Sequence, residues 1–285
     1  MLAVESLQFT YPTAESPAVR DVSFEVREGE IFGFLGPSGA GKSTVQKILV
    51  ALLPLQDGDV KYGGCSLRSL GREFFAQVGV SFEHPNLFPR LTGLENLTAF
   101  EGLYGGLKID PLAMLERLGM GDAANKRAGD YSKGMKQRLV FARALLHQPR
   151  YLFLDEPTSG LDPATARVVM SIVAEERARG CHVLLTTHDM LVADTLCDRI
   201  AFLQAGQIAA LDTPRELKLK YGQRSIKVEH RDGGVLRTAN LFVDDSADRE
   251  ALQALVAAGQ VETLHSQEAT LDQVFVKITG QELLQ

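Results

Sequence analysis

The stretch that decides the fold reads Ile31-Phe32-Gly33-Phe34-Leu35-Gly36-Pro37-Ser38-Gly39-Ala40-Gly41-Lys42-Ser43-Thr44. Its apolar first part predicts a buried strand from Ile31 to Leu35. The glycines that follow predict a tight turn, because glycine adopts backbone angles that other residues avoid. The residues after the turn predict a helix from Lys42 to Leu53, which Pro54 ends. A strand, a glycine-rich turn and a helix in this order are typical of a phosphate-binding site.

The turn itself, Gly36 to Thr44, matches the P-loop pattern of two glycines at a fixed spacing followed by lysine and serine. In such a loop consecutive N–H groups point inward as an anion site, and the helix adds the positive end of its dipole. We expect Lys42 to contact the β- and γ-phosphates of a nucleoside triphosphate and the Ser43 hydroxyl to bind Mg²⁺.

A second apolar strand is predicted from Tyr151 to Asp155, and it ends in two adjacent carboxylates, Asp155 and Glu156. Two neighbouring carboxylates beside bound phosphates should have separate roles. We expect Asp155 to lie near the Mg²⁺ and Glu156 to act as the general base that activates the attacking water.

Short apolar runs alternate with helical patterns through the first 210 or so residues. The predicted elements include strands at Val4–Phe9 and Val22–Val26, a mostly helical segment at Leu91–Leu118 that is broken at Gly105-Gly106, and helices that begin after Ser132 and Asp162. Several of these strands are apolar on both faces, which predicts helices on both sides and a mainly parallel α/β sheet. After Tyr221 the pattern changes to short strands and two helices. We therefore predict a first domain at residues 1–221 and a small C-terminal α+β appendage at residues 222–285.

Composition narrows the class of protein further. The chain has 285 residues with 45% hydrophobic and 23% charged residues, which is ordinary for a globular protein, and its net charge is 30 − 36 = −6. No basic surface is expected, so nucleic acid is not a predicted partner. No apolar run approaches the 18 or so residues that span a bilayer, and no signal-peptide pattern is present. Three cysteines without metal-type spacing predict idle thiols in a reducing, cytoplasmic setting.

Three further motifs have a distinctive order along the chain. They are Tyr131-Ser132-Lys133-Gly134-Met135-Lys136-Gln137-Arg138, Asp155-Glu156-Pro157-Thr158-Ser159-Gly160-Leu161-Asp162 and Thr186-Thr187-His188-Asp189. Together with the P-loop they closely resemble the ATP-binding cassette (ABC) ATPases. The resemblance runs from about Val4 to Leu211.

The resemblance implies roles for the matching positions. The implied catalytic residues are Lys42, Glu156 and the switch histidine His188. The implied metal ligands are Ser43, Asp155 and Glu83. The implied nucleotide-binding residues are the Walker A loop Gly36, Pro37, Ser38, Gly39, Ala40, Gly41, Lys42, Ser43 and Thr44, the adenine-stacking Tyr11, the signature residues Ser132, Lys133, Gly134 and Met135, and the D-loop Asp162.

The resemblance also implies an architecture and partners. The expected fold is an α/β P-loop NTPase of the ABC type, with a RecA-like parallel sheet, an antiparallel β subdomain and a helical subdomain at about residues 84–140. ATP and Mg²⁺ are the implied cofactors. Two ATP molecules are expected between two head-to-tail subunits, in a homodimer or a pair with a homologous ATPase. An integral-membrane permease on a separate chain is the other implied partner, which places this chain at the cytoplasmic face of the membrane.

This sequence departs from the usual family pattern at three positions. Glu83 stands where the family usually has glutamine, and Lys133 and Met135 replace a glycine and a glutamine of the signature. The Tyr-Ser-Lys-Gly-Met form resembles the branch that exports drugs, lipids and polysaccharides. The leading hypothesis is therefore an exporter ATPase. The alternatives are the ATPase of an importer and a soluble ABC ATPase that is not a transporter, whereas Glu156 argues against a regulatory module without catalysis.

Overall fold

The structure is a computed structural model, and it describes residues 1–101 and 106–280. The strands are β1 Leu2–Phe9, β2 Val19–Val26, β3 Ile31–Leu35, β4 Asp57–Tyr62, β5 Cys65–Ser66, β6 Val78–Ser81, β7 Tyr151–Asp155, β8 His182–Thr187, β9 Arg199–Gln204, β10 Gln207–Asp212, β11 Ser225–Asp232, β12 Val235–Phe242 and β13 Val261–Gln267. The α-helices are Lys42–Leu49, Arg72–Phe75, Gly93–Thr98, Pro111–Arg117, Lys133–Leu145, Pro163–Ala178, Met190–Leu196, Pro214–Tyr221, Ser246–Ala257 and Leu271–Thr279. Contacts between residues divide the chain into two compact units, Met1–Leu211 and Asp212–Gln285.

A six-stranded sheet in the order β10-β9-β3-β8-β7-β6 forms the centre of the first unit. The pairs from β9 through β3, β8 and β7 to β6 are parallel, which confirms the predicted α/β class. β3 and β7 have the predicted bounds, and every residue in both is buried. In a parallel sheet the carboxyl ends of the strands lie at the same end of the sheet. The P-loop follows β3 there, and the acidic pair begins with the last residue of β7.

An antiparallel sheet in the order β2-β1-β4-β5 completes the strands of the first unit. The sequence analysis identified β1 and β2 but not β4 or β5. The residues of β4 read Asp-Gly-Asp-Val-Lys-Tyr, and only Val60 and Tyr62 are buried. So polar a strand carries too little hydrophobic periodicity to be identified from its sequence.

The helical region begins where the sequence analysis expected it, but its helices are shorter. A largely helical segment from Leu91 to Leu118 was expected, and the structure shows Gly93–Thr98 and Pro111–Arg117. Of the predicted break at Gly105-Gly106, Gly105 lies outside the described residues, and Gly106 has a positive φ of 112° and lies in neither helix. Asn96 is buried and organises the preceding loop, since its side-chain amide donates to the Phe88 carbonyl oxygen at 3.0 Å and its amide oxygen accepts from the Phe88 N–H at 2.8 Å.

Helix starts were predicted better than helix ends. Ser132 and Asp162 cap the helices Lys133–Leu145 and Pro163–Ala178 with their side-chain oxygens, as expected. The helix that was predicted to reach Leu53 ends at Leu49 instead. Its C-terminal turn is closed by Ala51, whose positive φ of 57° is incompatible with a continued helix.

The second unit contains a three-stranded antiparallel sheet in the order β12-β11-β13. It also includes the helix Pro214–Tyr221, so the division falls earlier than the boundary that was expected after Tyr221. The physical reason is that this helix packs on the helix Leu271–Thr279 and buries Leu217. The sequence predicts a strand at Leu236–Val243 and helices at Ala247–Ala258 and Leu271–Ile278, and β12 and the helices Ser246–Ala257 and Leu271–Thr279 lie within one residue of these bounds. The strand predicted at Ile226–Glu229 is longer than expected, because β11 continues three residues further, to Asp232.

Candidate functional site

The P-loop wraps tightly against neighbouring backbone. Gly36, Gly39 and Gly41 have positive φ angles of 155°, 79° and 105°. A Cβ atom on Gly36 would lie 2.2 Å from the Leu203 carbonyl oxygen, and one on Gly41 would lie 2.7 Å from that of Ala18. A Cβ atom on Gly39 would meet nothing within 4 Å. Gly36 and Gly41 are therefore required by close packing, whereas Gly39 is required only by its backbone angle.

Lys42 lies inside the curl of this loop. Its ammonium donates hydrogen bonds to the carbonyl oxygens of Gly36, at 2.6 Å, and Pro37, at 3.0 Å. The helix Lys42–Leu49 begins directly at this residue. The geometry therefore places one cation at the mouth of the loop, beside the N-terminal end of a helix.

Three carboxylates lie within electrostatic range of that cation. Burial lowers the pKa of Lys42, and the negative charges of Glu156, Asp155 and Glu83 act in the opposite direction. Glu83 itself is exposed. The structure therefore brings together Lys42, the acidic pair and the residue that replaces the family's usual glutamine.

Asp155 and Ser43 present oxygen atoms to the same point. The Ser43 hydroxyl donates to Oδ2 of Asp155 at 3.4 Å, and the Thr186 hydroxyl donates to Oδ1. Asp155 is only 7% exposed, so its position is well defined by the surrounding packing. A hydroxyl and a carboxylate supply oxygen atoms of the kind that suits Mg²⁺, so Ser43 and Asp155 would hold this ion. Among the described residues no group of three or more His, Cys, Asp or Glu side chains could hold a metal ion alone.

Glu156 has a different environment although it is the next residue. Its φ of 49° turns the chain sharply, and its N–H donates to the Thr186 carbonyl oxygen at 3.1 Å. Oε1 lies 2.8 Å from Nδ1 of His188, and the Thr187 hydroxyl donates to Oε2 at 3.3 Å. Burial raises the pKa of Glu156, and the hydrogen bond and charge of His188 partly offset this rise. A buried carboxylate whose pKa is raised is suited to accept a proton.

The hydroxyls of Thr186 and Thr187 are functional groups that the sequence analysis did not assign. They reach the acidic pair because β7 and β8 are parallel and in register, with Asp155 directly opposite Thr186. An apolar strand that ends in two threonines beside a histidine was visible in the sequence. The partner strand and the register were not.

Tyr11 is tied to the P-loop helix. Its hydroxyl lies 3.1 Å from Oγ1 of Thr44, and its ring packs edge-on against Phe9 with the ring centroids 4.9 Å apart. Tyr11 remains partly exposed, so one part of the ring is open beside the phosphate loop. Stacking of Tyr11 on the adenine base stays a prediction.

The signature residues lie elsewhere on the surface. Ser132 is exposed, and its hydroxyl accepts a hydrogen bond from the N–H of Met135 at 3.2 Å, within its own helix. A Cβ atom on Gly134 would lie 3.4 Å from the Gly160 carbonyl oxygen, so the signature packs against the D-loop. Asp162 caps the next helix, and the hydroxyl of Thr165 and N–H groups of that helix lower its pKa.

Comparison with known proteins identifies the family. The family described as ABC transporter matches residues 19–159. A fluoroquinolones export ATP-binding protein of Mycobacterium tuberculosis is 49% identical over 284 residues, which cover 99% of this chain and 94% of that protein. A Nod factor export ATP-binding protein of Burkholderia lata is 35% identical and covers 93% of both chains. The chain belongs to the ATP-binding proteins of ABC transporters.

Solved structures agree with this assignment to the ABC family. An ATP-binding subunit of an ABC transporter superposes with a TM-score of 0.71 at 28% identity and covers 78% of this chain and 93% of its own. A dimeric cassette in a post-hydrolysis state with ADP and Pi gives 0.69 at 28% identity and covers 75% and 98%. The chain is thus an ATP-binding subunit of a family that hydrolyses ATP. Within residues 1–101 and 106–280, no helix has the length and apolar character that crossing a bilayer requires.

The glycines of the P-loop give a matched pair of predictions. We expect Gly36→Ala to weaken ATP binding more than a hundredfold, because the added methyl group collides with the Leu203 carbonyl oxygen. Gly39→Ala should weaken binding by about tenfold or less, since only the left-handed backbone angle, worth roughly 1–2 kcal/mol, opposes it. Isothermal titration with Mg-ATP measures both, and thermal melting confirms that each variant is folded. Equal losses in the two variants would contradict the packing argument.

Proposed function

We propose that this chain is the Mg²⁺-dependent, ATP-hydrolysing subunit of an ABC exporter, and that it drives a separate integral-membrane permease from the cytoplasmic face. One observation carries the catalytic part of the proposal. The carboxyl edge of the parallel sheet brings Lys42, Asp155, Glu156 and His188 within reach of one another.

The catalytic roles follow from the environment of each side chain. The P-loop N–H groups and Lys42 bind and orient the phosphates. Ser43 and Asp155 would hold Mg²⁺ with Glu83 nearby, and the ion, when bound, would neutralise charge on the phosphate oxygens. Glu156 accepts the proton of the attacking water, because it is the carboxylate whose pKa is raised by burial. His188 orients Glu156 through Nδ1 and, being exposed on its other side, can contact the γ-phosphate.

Completion of the site by a second subunit is part of the same proposal. The helix tip at Ser132 has free N–H groups in its first turn, as helix starts do, and is a second anion site. Ser132 is exposed and bonded only within its own helix among the described contacts. It is therefore available to the triphosphate that is bound in a partner's P-loop. The dimeric state of the solved cassette with ADP and Pi supports this arrangement. The partner is a second copy or a homologous ATPase.

Export is supported by the relatives and by the form of the signature. The two relatives described above are named as export ATP-binding proteins, one for fluoroquinolones and one for Nod factors. Both names indicate amphipathic organic cargo rather than ions or nutrients. The Tyr-Ser-Lys-Gly-Met signature and Glu83 also fit this branch better than an importer. We therefore propose a drug-like or lipid-like cargo, with a fluoroquinolone as the first candidate.

The burial of Glu156 predicts the pH dependence of ATP hydrolysis. Because its pKa is raised, the proton-accepting form is lost at a higher pH than for an exposed glutamate. This loss forms the acid limb of the pH–rate profile. We expect His188→Ala to move the acid limb to still higher pH, since the hydrogen bond and charge of His188 both lower the pKa of Glu156. The profile of kcat/KM for Mg-ATP from about pH 5 to about pH 9 measures the limb. His265→Ala, exposed in the second unit, is the control. A limb that stays in place or moves down would refute this coupling.

The shared site predicts the oligomeric state. Glu156→Gln should bind ATP but turn it over at least about a thousandfold more slowly, and ATP should then trap it as a dimer. Adding Ser132→Arg should leave a monomer that still binds ATP, because the bulky side chain blocks the helix tip. Light scattering with and without ATP measures both states, with Ser171→Arg on the exposed face of another helix as the control. Dimers of the Ser132→Arg double variant would count against a shared site.

Transport direction predicts the sign of a cellular measurement. Deleting the gene in its natural host should raise the accumulation of a fluoroquinolone such as norfloxacin. The parental gene should restore low accumulation, whereas the Glu156→Gln gene should not. Lowered accumulation after deletion would indicate import. Unchanged accumulation would exclude fluoroquinolones as the cargo. It would not bear on the ATPase assignment, which the dimer experiment tests.

A further inference from the structure

Tyr131 is a buried side chain next to an exposed helix tip. It is only 4% exposed, whereas Ser132 and Lys133, which follow it, are both exposed. The chain enters the helix Lys133–Leu145 through Tyr131 and Ser132, and both of these residues have extended backbone angles. The side chain of Tyr131 is therefore the nearest buried anchor of the helix tip that the shared site uses.

The hydroxyl of Tyr131 reaches a different segment of the helical region. It donates a hydrogen bond to the Ala123 carbonyl oxygen at 2.6 Å, at the end of the 3₁₀ turn Gly121–Ala123. Burial raises the pKa of Tyr131, so the hydroxyl keeps its proton at neutral pH. The length of this bond is within the normal range for a hydroxyl donor. The bond thus fastens the chain just before Ser132 to a carbonyl group eight residues earlier.

A glycine makes room for this hydroxyl. Gly93 is buried and is the first residue of the helix Gly93–Thr98. A Cβ atom there would lie 2.1 Å from the Tyr131 hydroxyl oxygen and 3.1 Å from the ring carbon that bears it. Gly93 does not have a positive φ angle, so its backbone would tolerate alanine. The close approach of Tyr131 is therefore what requires glycine at this position.

The surface that receives Tyr131 is held together by backbone hydrogen bonds. The N–H of Gly93 donates to the Lys126 carbonyl oxygen at 3.1 Å, and the N–H of Leu94 donates to that of Ala124 at 3.0 Å. These bonds join residues 123–126 to the start of the helix Gly93–Thr98. Because the Tyr131 hydroxyl contacts both segments, it docks on one joined surface.

The D-loop supports the helix tip from another side. A Cβ atom on Gly134 would lie 3.4 Å from the Gly160 carbonyl oxygen. Ser132 adds no such support, since within the described part of the chain its hydroxyl bonds only to the N–H of Met135 in its own helix. The place of the helix tip is therefore set by its neighbours, Tyr131 and Gly134.

A phosphate contact makes a strict demand on the position of this tip. Hydrogen bonds weaken steeply when their length or angle departs from the optimum. In the proposed dimer the tip must meet a triphosphate that is held in the P-loop of the other subunit. Groups that are fixed in advance lose less conformational freedom on binding. A firmly held tip at Ser132 therefore favours the dimer, and a mobile tip opposes it.

We propose that Tyr131 is the positioning residue of the signature, and that its hydroxyl fixes the helix tip at Ser132 by docking between the Ala123 carbonyl group and Gly93. Tyr131 does not contact the nucleotide and acts only through Ser132. The inference rests on the proposed shared site. It names the side chain that sets one half of that site before the second subunit arrives.

The first test is Tyr131→Phe in the Glu156→Gln protein, a change that removes one oxygen atom. We expect the dimer dissociation constant at saturating Mg-ATP to rise about tenfold, because roughly a third of the chains keep the tip in place and a dimer contains two tips. A concentration series in light scattering measures this constant. Binding of a fluorescent ATP analogue to the dilute monomer should be unchanged, because the P-loop is intact.

Tyr62→Phe is the matched control. Tyr62 is also 4% exposed, and its hydroxyl donates to the Leu49 carbonyl oxygen at 2.7 Å, outside the signature and the helical region. Both substitutions remove a buried hydrogen bond of the same kind and should lower the melting temperature similarly. Only Tyr131→Phe should weaken the dimer. Equal weakening by both would show a general loss of stability and overturn the proposal.

The outcomes separate this inference from the shared site. If the Glu156→Gln protein dimerises with ATP and Tyr131→Phe leaves its dissociation constant unchanged, the shared site stands and the role of Tyr131 is refuted. If the Glu156→Gln protein stays monomeric with ATP, the shared site and this inference are both overturned.

Gly93→Ala tests the contact from its other side. The added methyl group must displace the Tyr131 hydroxyl, so we expect the dimer dissociation constant to rise at least as much as in Tyr131→Phe. The combined variant should lose no more than Gly93→Ala alone, because both substitutions act on one contact and are not additive. Losses that multiply in the combined variant would contradict the docking of Tyr131 against Gly93. Thermal melting checks folding, and Tyr131→Phe decides the question if Gly93→Ala does not fold.

Discussion

The parallel register of β7 and β8 is the constraint on which the candidate catalytic site depends. It places Asp155 opposite Thr186, so two hydroxyls and one histidine of the second strand meet two carboxylates of the first. A slip of one residue would turn these side chains to the other face of the sheet. The register is secured by strands that are buried along their whole length, because any slip would expose or overpack the core.

The two members of the acidic pair have different surroundings although both are buried. Moving a charged carboxylate out of water costs several kcal/mol of free energy unless hydrogen bonds or nearby cations offset it. Asp155 accepts hydrogen bonds from two hydroxyl groups and lies close to the P-loop lysine. Glu156 has a raised pKa, which suits a group that takes up a proton and releases it. One turn of backbone at Glu156, with its positive φ, separates the two environments.

Secondary structure was predictable where a short stretch of sequence carries a clear local pattern. The bounds of β3 and β7 were predicted because both strands are short, apolar and followed by polar site residues. Ser132 and Asp162 were predictable as helix starts because capping is local. By contrast, β4 is half exposed, and the helix after the P-loop ends at Leu49 because Ala51 turns the chain. The helix Pro214–Tyr221 groups with the second unit because of packing against a helix that lies some fifty residues later in the chain.

The sequence by itself determined the family and the phosphate loop, and it predicted the reacting groups, because each of these depends on residues that are close together in the chain. Tertiary structure alone decided which groups meet. It assigned Thr186 and Thr187 to the carboxylates, placed Glu83 near Lys42 and kept Ser132 on the outer surface. The physical reason is that strand pairing and core packing act between residues far apart in sequence, and no local pattern records the partner of a strand.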